Sequence, residues 1–137
     1  MNYVVCIGFD PVTKLAVLLT KLKGPSFLLN KITFPGGRFE LDEDFKEAAA
    51  REFYEESGVK TSKSDWSLLF KKEKNESSVY FAVYKSSCIA RAKPQESELE
   101  KVFLGSLKEH ELSCHNNPQL YAPDFKEILR ALKEKEF

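Results

Sequence analysis

The stretch from Phe34 to Val59, FPGGRFELDEDFKEAAAREFYEESGV, constrains the fold of this chain most strongly. Its centre is a predicted helix from about Asp44 to Ser57, because Asp42 can cap the N-terminus, acidic residues crowd the first turn and Gly58 stands where helices commonly end. At about 100° per residue, small and apolar residues share one face with the glutamates of the last turns. An ordinary amphipathic helix keeps its carboxylates on the other side. The apolar residues are Phe45, Ala48 and Ala49; Glu52 and Glu56 lie on their face, and Glu55 lies at its edge.

Three glutamates near a helix C-terminus are locally unfavourable, because that end carries partial negative charge and like charges three or four residues apart repel. Each placement costs roughly 0.3–1 kcal/mol near a surface. A divalent cation would remove the cost, since Mg²⁺ and Mn²⁺ bind carboxylate, carbonyl and water oxygens. The residues alone leave a second interpretation, a solvated acidic helix end with Lys46 and Arg51 as surface partners.

The acidic residues belong to a wider pattern with fixed spacing. Gly37 is followed by five residues, Glu43, seven residues and the run REFYEESGV from Arg51 to Val59. This pattern resembles the signature of the Nudix hydrolases at every fixed position, and a looser likeness to MutT-type members extends over most of the chain. Phe53 stands where that family more often carries an aliphatic residue. The resemblance implies a Nudix-like α/β/α sandwich, in which a mixed sheet lies between helices.

The resemblance also implies roles for individual residues. Members of the family differ on whether one motif glutamate is the general base or a ligand that orients the attacking water. Bound Mg²⁺, or Mn²⁺ as a substitute, would neutralise phosphate charge and lower the pKa of a water. Arg51 and Glu43 are expected to brace the loop against the helix. The implied metal ligands are the carbonyl of Gly36, Glu55 and Glu56, and the residue with the two alternative roles is Glu52.

Other candidate site residues lie outside the signature. In Nudix proteins a further carboxylate often enters the metal site after the central strands, and Glu98 is preferred here over Glu96 and Glu100, with a solvated loop as the alternative. Lysines at the mouth of a pocket can offset phosphate charge, although a solvated strand end explains them as well. An asparagine reads the nucleobase in MutT-like enzymes, but turn formation is an equal explanation here. These substrate-binding candidates are Lys21, Lys23, Asn116 and Asn117.

Length and composition favour one small enzyme domain over residues 1–137. Lys+Arg and Asp+Glu are both 21 among 137 residues, so no overall basic charge indicates duplex nucleic acid or an anionic membrane as partner. Cys6, Cys88 and Cys114 are an odd number at irregular spacing, which favours reduced, packed thiols over a disulfide framework. No apolar run approaches the length of a membrane helix and no targeting segment is evident. We therefore expect a cytoplasmic protein, and the oligomeric state stays open.

The remaining chain reads as strands and one further helix. Tyr3 to Phe9 and Leu15 to Thr20 are apolar, β-rich runs. Lys71 to Ser77 predicts a hairpin turn into a strand from Ser78 to Tyr84, and Val102 to Leu104 resembles another strand. The residues Asn116-Asn117-Pro118 give a start signal. An amphipathic helix is expected from about Pro123 to Lys135, burying Phe125, Ile128, Leu129 and Leu132.

The expected activity is Mg²⁺-dependent hydrolysis of a phosphoanhydride bond in a nucleoside diphosphate linked to another moiety. Some Nudix relatives carry downstream markers for dinucleoside polyphosphates or ADP-ribose, and others carry a pattern for coenzyme A. None of these is evident in this sequence. A nucleoside triphosphate, normal or oxidised, is therefore the first choice, cleaved to the monophosphate and pyrophosphate. The alternatives are an RNA 5′-end pyrophosphohydrolase, a nucleotide-sugar or dinucleotide hydrolase, and a non-catalytic nucleotide-binding module of the same fold.

Overall fold

The computed structural model describes residues 1–94 and 97–137. Within those residues the chain forms seven strands, three α-helices and three short 3₁₀ helices. The strands are β1 (Asn2–Phe9), β2 (Leu15–Lys21), β3 (Ile32–Thr33), β4 (Gly36–Arg38), β5 (Ser67–Lys74), β6 (Ser77–Lys85) and β7 (Glu100–Ser106). The helices are α1 (Phe45–Ser57), α2 (Leu107–Asn116) and α3 (Phe125–Glu134), and the 3₁₀ segments are Lys63–Asp65, Ser87–Arg91 and Pro118–Leu120.

All seven strands join one mixed sheet, which confirms the predicted fold class. β1 runs parallel to β6 along its whole length and antiparallel to β4 and, at its end, to β2. β2 pairs with β7 on one side and with β3 on the other, and β5 pairs with β6 in a hairpin. Three of these strands carry candidate site residues at their ends: Lys21 on β2, Gly36 on β4 and Glu100 on β7.

Each face of the sheet has its own core, because successive side chains of a strand point to opposite faces. On β2, Val17 and Leu19 pack with the buried face of α1, whereas Ala16 and Leu18 pack with α2 and α3. The α1 core also contains Val4, Cys6, Ala48, Ala49, Phe53, Trp66, Ala82, Ile89 and Val102. The α1 helix therefore lies on one face, and α2 and α3 cover the other.

The α1 helix occupies nearly the predicted range, but its cap differs. Asp44 is the N-cap and forms a reciprocal capping box with Glu47, in which Asp44 Oδ1 accepts from the Glu47 N–H at 2.9 Å and Glu47 Oε1 accepts from the Asp44 N–H at 3.1 Å. Asp42, expected as the cap, instead adopts a left-handed conformation with φ 64° in the preceding turn. Gly58 ends the helix with φ 73°, as predicted.

Two further expectations need correction. The predicted hairpin turn at Lys71 to Ser77 is much shorter, because β5 continues to Lys74 and only Asn75, with φ 57°, and Glu76 form the turn. Helix α2 was not predicted, and Asn116, assigned to a start signal, is the last residue of that helix.

The final helix is confirmed as α3, with all four predicted side chains buried. The strand expected at Val102 to Leu104 is confirmed within β7. Cys6 and Cys114 are buried. Among the described residues, none of the helices combines the length and the apolar character needed to span a bilayer.

Candidate functional site

Arg51 on α1 organises the charged residues around the signature. Its Nε and NH2 donate to the two carboxylate oxygens of Glu43 at 2.7 and 2.9 Å, and NH2 also donates to the Arg38 carbonyl at 2.9 Å. The bidentate pair lowers the pKa of Glu43 and raises that of Arg51. Arg51 therefore ties the end of β4 and the following loop to the helix, in the arrangement expected of a brace.

Glu52 lies between Arg51 and the Gly36-Gly37 strand. Its Oε1 accepts from Arg51 NH1 at 2.9 Å, and its side chain is 12% exposed. Burial raises the pKa of Glu52, and the hydrogen bond from Arg51 opposes that shift. A Cβ at position 37 would stand 2.4 Å from Glu52 Oε1, whereas one at position 36 would stand 2.3 Å from the backbone oxygen of Val4. Gly36 is therefore required by a close backbone approach, whereas a side chain at position 37 would displace the end of Glu52.

Glu56 is the most unusual carboxylate in the described part of the chain. It is 9% exposed, and its Oε2 is buried without a hydrogen-bond donor. Burial, together with the charge of neighbouring Glu100 and a hydrogen bond shared with it, raises the pKa of Glu56 to about 9. Two ionised carboxylates cannot hydrogen-bond to each other, so the pair needs either a shared proton or a cation between its oxygens.

Glu100 reaches this position through strand pairing. It is the first residue of β7 and lies opposite Lys21, the last residue of β2. Lys21 Nζ donates to Glu100 Oε2 at 3.0 Å, and the two side chains are 29% and 15% exposed. On β7, Val102 belongs to the α1 core, so Glu100 two residues earlier points to the same face.

The structure separates the candidate carboxylates of this segment by their distance from Glu56. Glu98, the preferred candidate from sequence, is exposed in the bend before β7. Glu100 is the carboxylate that neighbours Glu56. Glu96 lies outside the described residues. The period-two pattern of β7 gives Glu98 and Glu100 the same parity, so no local signal in the sequence separates the two.

The remaining candidates lie at different distances from this centre. Glu55 is half exposed, and its Oε1 accepts from Arg51 NH1 at 3.4 Å. Lys23 is exposed in the loop after β2, and its backbone N–H donates to the Leu99 carbonyl. Asn116 and Asn117 are exposed at the end of α2, on the sheet face opposite α1, where the Asn117 N–H closes the helix on the Ser113 carbonyl.

Cys6 is a neighbour of the carboxylates that sequence reasoning did not place there. Its thiol is fully buried on β1, and Sγ lies 3.6 Å from the Ala49 carbonyl of α1. Burial raises the pKa of Cys6 well above its ordinary value, and the charges of Glu56 and Glu52 raise it further. Cys6 is therefore an uncharged thiol in the core next to α1, close enough to the two carboxylates to feel their charge.

Within residues 1–94 and 97–137, no three His, Cys, Asp or Glu side chains already converge as a complete cation site. The reason is local, since Glu52 and Glu55 are turned toward Arg51. A cation held by these side chains would require a rotamer change or coordination through oxygens that Arg51 does not hold.

Comparison with known proteins gives a family and a fold. A family model described as NUDIX domain matches residues 2–132. A search of curated proteins gives no match. Similar solved structures include a MutT/nudix family protein from Enterococcus faecalis, with 14% identity and a TM-score of 0.56, covering 75% of this chain and 43% of that one. Another is a bifunctional NMN adenylyltransferase/ADP ribose pyrophosphatase complexed with AMP and Mn ion from Francisella tularensis, with 15% identity and a TM-score of 0.71, covering 98% and 41%. The chain thus spans about two fifths of the length of either neighbour.

Proposed function

The chain belongs to the Nudix family, and we propose that it is a Mg²⁺-dependent pyrophosphohydrolase that cleaves a nucleoside triphosphate to the monophosphate and pyrophosphate. Family membership supports hydrolysis of pyrophosphate bonds with a divalent metal in general. The choice of nucleotide, of Mg²⁺ and of individual residues is part of the proposal.

The observation that carries the proposal is the buried pair of Glu56 and Glu100. Two carboxyl groups that share a buried position destabilise the folded chain unless something neutralises them. Lys21 contacts Glu100, yet Glu56 Oε2 still has no donor. A carboxylate oxygen buried without a partner at the end of α1 is an unfavourable feature that a bound cation would convert into a favourable one.

The available donors fit a hard divalent cation. Glu52, Glu56 and Glu100 supply only oxygen, as do Glu55 and the Gly36 carbonyl, and oxygen donors suit Mg²⁺ or Mn²⁺ better than softer metals. We assign Glu55, Glu56 and the Gly36 carbonyl as ligands, with Glu100 taking the place expected of Glu98. When bound, the ion neutralises phosphate charge and lowers the pKa of a water.

The chain's own residues then have separable tasks. Glu52 is sheltered, its pKa is raised by burial, and it is therefore a better proton acceptor than an exposed glutamate would be, which suits a general base. Arg51 holds Glu52 in place while Glu43 holds Arg51. Lys21 positions Glu100, and exposed Lys23 is placed to meet substrate phosphates.

The test is a substrate panel with Mg²⁺ in which pyrophosphate and phosphate release are scored separately. The panel contains normal and oxidised nucleoside triphosphates, a triphosphorylated RNA 5′ end, a dinucleoside polyphosphate, a nucleotide sugar and ADP-ribose. We expect the highest kcat/KM for a nucleoside triphosphate, with pyrophosphate as product. A higher kcat/KM for another substrate class would change the proposed substrate but leave the proposed pyrophosphohydrolase activity in place.

The role of Glu52 is tested with Glu52→Gln, which keeps the shape and removes the base. Its kcat should fall about 10²- to 10⁴-fold, while its unfolding midpoint stays close to that of the parent. Glu134→Gln, exposed on α3 at the opposite face of the sheet, is the control for losing one charge away from the site. Near-parental turnover by Glu52→Gln would remove Glu52 from the mechanism, and nucleotide binding without turnover by the parent would indicate a non-catalytic module.

A further inference from the structure

A continuous groove lies between α2 and α3, on the face of the sheet opposite the carboxylates. Its larger part has a volume of about 560 Å³, and an adjoining part of about 300 Å³ shares Lys108, Glu111, Leu129 and Lys133 with it. Cys114 and Leu129 are buried in its lining, while Leu112 is 63% exposed at the rim. The groove therefore has an apolar floor and an apolar side chain that faces solvent.

The charged lining of the groove is strongly asymmetric. In the part of the chain that the structure describes, five cationic side chains line it against one acidic side chain, Glu111, which is already paired with Lys133 Nζ at 2.5 Å. The chain as a whole carries equal numbers of acidic and basic residues, so this face concentrates positive charge. Glu127 of α3 is turned away and contacts Lys72 instead. The five cations are Lys14, Lys108, Lys126, Arg130 and Lys133.

We propose that the groove between α2 and α3 binds an acidic amphipathic helix of a partner protein, with apolar side chains on the floor and carboxylates against the lysine and arginine rim. Helices commonly dock in such a groove through apolar residues at i, i+3 or i+4, and i+7. Each of α2 and α3 has 10 residues, about 15 Å at 1.5 Å per residue, which matches roughly three turns of a bound helix. Charge complementarity favours an acidic sequence over a neutral one.

The lining favours a helix over a nucleic-acid strand. Single strands bind best where aromatic rings stack on successive bases. Among the described residues, the larger part has one ring, that of His115, and an aliphatic or thiol floor. In the adjoining part the Phe9 ring is buried and the Phe137 ring is covered by Lys85 Nζ. A duplex would need a wider basic surface than two helices offer.

The test measures fluorescence anisotropy of a labelled synthetic helix of about 14 residues, with leucines at helical spacing and glutamates on both flanks. We expect saturable binding to the full chain that weakens with salt. A scrambled peptide of the same composition, and one with lysine for glutamate, should bind at least about tenfold more weakly.

Two variants locate the site. Lys126→Glu with Arg130→Glu should weaken peptide binding at least about tenfold, because it reverses two exposed rim charges. Lys60→Glu with Lys74→Glu makes the same charge change at exposed positions outside the groove and should bind like the parent. Nucleotide hydrolysis should be equal in all three proteins, since α2 and α3 lie on the other sheet face.

Three results would overturn the proposal. The first is equal binding of the scrambled peptide, or no saturable binding of the designed one. The second is tighter binding of a single-stranded RNA that Lys126→Glu with Arg130→Glu abolishes, which would make the groove a nucleic-acid site. The third is a concentration-dependent dimer, measured by light scattering, that the same variant dissociates, which would assign the groove to a second copy of the chain.

Discussion

Glu56→Gln should stabilise the metal-free protein above neutral pH. The raised pKa of Glu56, about 9 against an ordinary 4.5, means that the folded state binds more protons than the unfolded state between these values. The stability from this group is complete below about pH 4.5 and is lost as pH rises through about 9. The limiting slope is about 1.4 kcal/mol per pH unit for one proton.

The magnitude follows from that slope. Between about pH 5 and pH 8 the metal-free parent should lose roughly 2–4 kcal/mol that the Glu56→Gln variant cannot lose, because the amide that replaces the carboxyl group does not titrate in this range. In a domain of this size the difference corresponds to on the order of 10 °C in Tm. Glu56 is almost fully buried, so solvent screening reduces the effect little.

The measurement is urea unfolding at several pH values, followed by fluorescence of Trp66, the single tryptophan, which is buried next to Phe53. Chelator is present throughout. Stability of the parent should fall with pH relative to Glu56→Gln, and Glu55→Gln should follow the parent. Parallel pH profiles for parent and Glu56→Gln would refute the reasoning, because they would mean that the Glu56 proton is not linked to folding.

Added metal supplies the second half of the test. A cation at about 100 times its Kd raises the stability of the folded state by roughly 2.7 kcal/mol. The parent should gain this from Mg²⁺ or Mn²⁺ in the presence of a non-hydrolysable nucleotide, and Glu56→Gln should gain much less. Equal gains in the two proteins would place the ion elsewhere.

Two more predictions concern the groups that hold Glu52. Gly37→Ala should lower kcat more than it lowers stability, since the added Cβ displaces the flexible end of Glu52. Gly36→Ala should mainly lower the unfolding midpoint, because its Cβ meets the Val4 backbone oxygen. The reverse order in activity and urea assays would contradict this assignment. Arg51→Lys keeps the charge but loses the bidentate contact with Glu43 and the hydrogen bond to the Arg38 carbonyl. The free energy of unfolding should therefore fall by about 1–2 kcal/mol, and kcat should fall with it. An unchanged urea midpoint would count against the role of Arg51 as a brace.

The sequence predicts α1 and its acidic end well because both depend on local information. The cap, the apolar stripe and the left-handed Gly58 all lie within one segment, and the helical period alone places Glu52 and Glu56 on the face that carries Ala48 and Ala49. Even the wrong cap, Asp42 for Asp44, moves the start of the helix by a single residue.

The contact between Lys21 and Glu100 depends on long-range pairing and could not be predicted from local sequence. Lys21 and Glu100 are 79 positions apart, and they meet only because β2 and β7 pair in a register that sets their ends side by side. No local pattern specifies that register, so the sequence could not show that Glu100, and not the preferred Glu98, lies opposite Lys21.

The missed helix α2 has a different cause. Its buried side contains Leu107, Cys114 and the half-buried His110, which donates to or accepts from the Tyr121 hydroxyl at 2.8 Å. A histidine and a cysteine in place of aliphatic residues weaken the helical hydrophobic period. The local signal that remained was Ser106 three residues before Glu109, since the Ser106 hydroxyl accepts from the Glu109 N–H at 3.2 Å.

The carboxylate site and the groove between α2 and α3 have opposite charge imbalances. Arg51 and Lys21 are paired with Glu43 and Glu100. Burial and the charge of Glu100 raise the pKa of Glu56 by more than the charge of Lys21 lowers it, so Glu56 still lacks a full counter-charge. The missing positive charge must therefore come from a proton or a bound ion, and both can leave. The groove has the opposite imbalance, because the cations that line it outnumber Glu111, the one acidic side chain among its described lining residues, and those cations are exposed. Without a bound ion at the α1 face, folding stability should therefore depend steeply on pH. Without a partner at the α2–α3 face, the pH dependence of folding stability should change little.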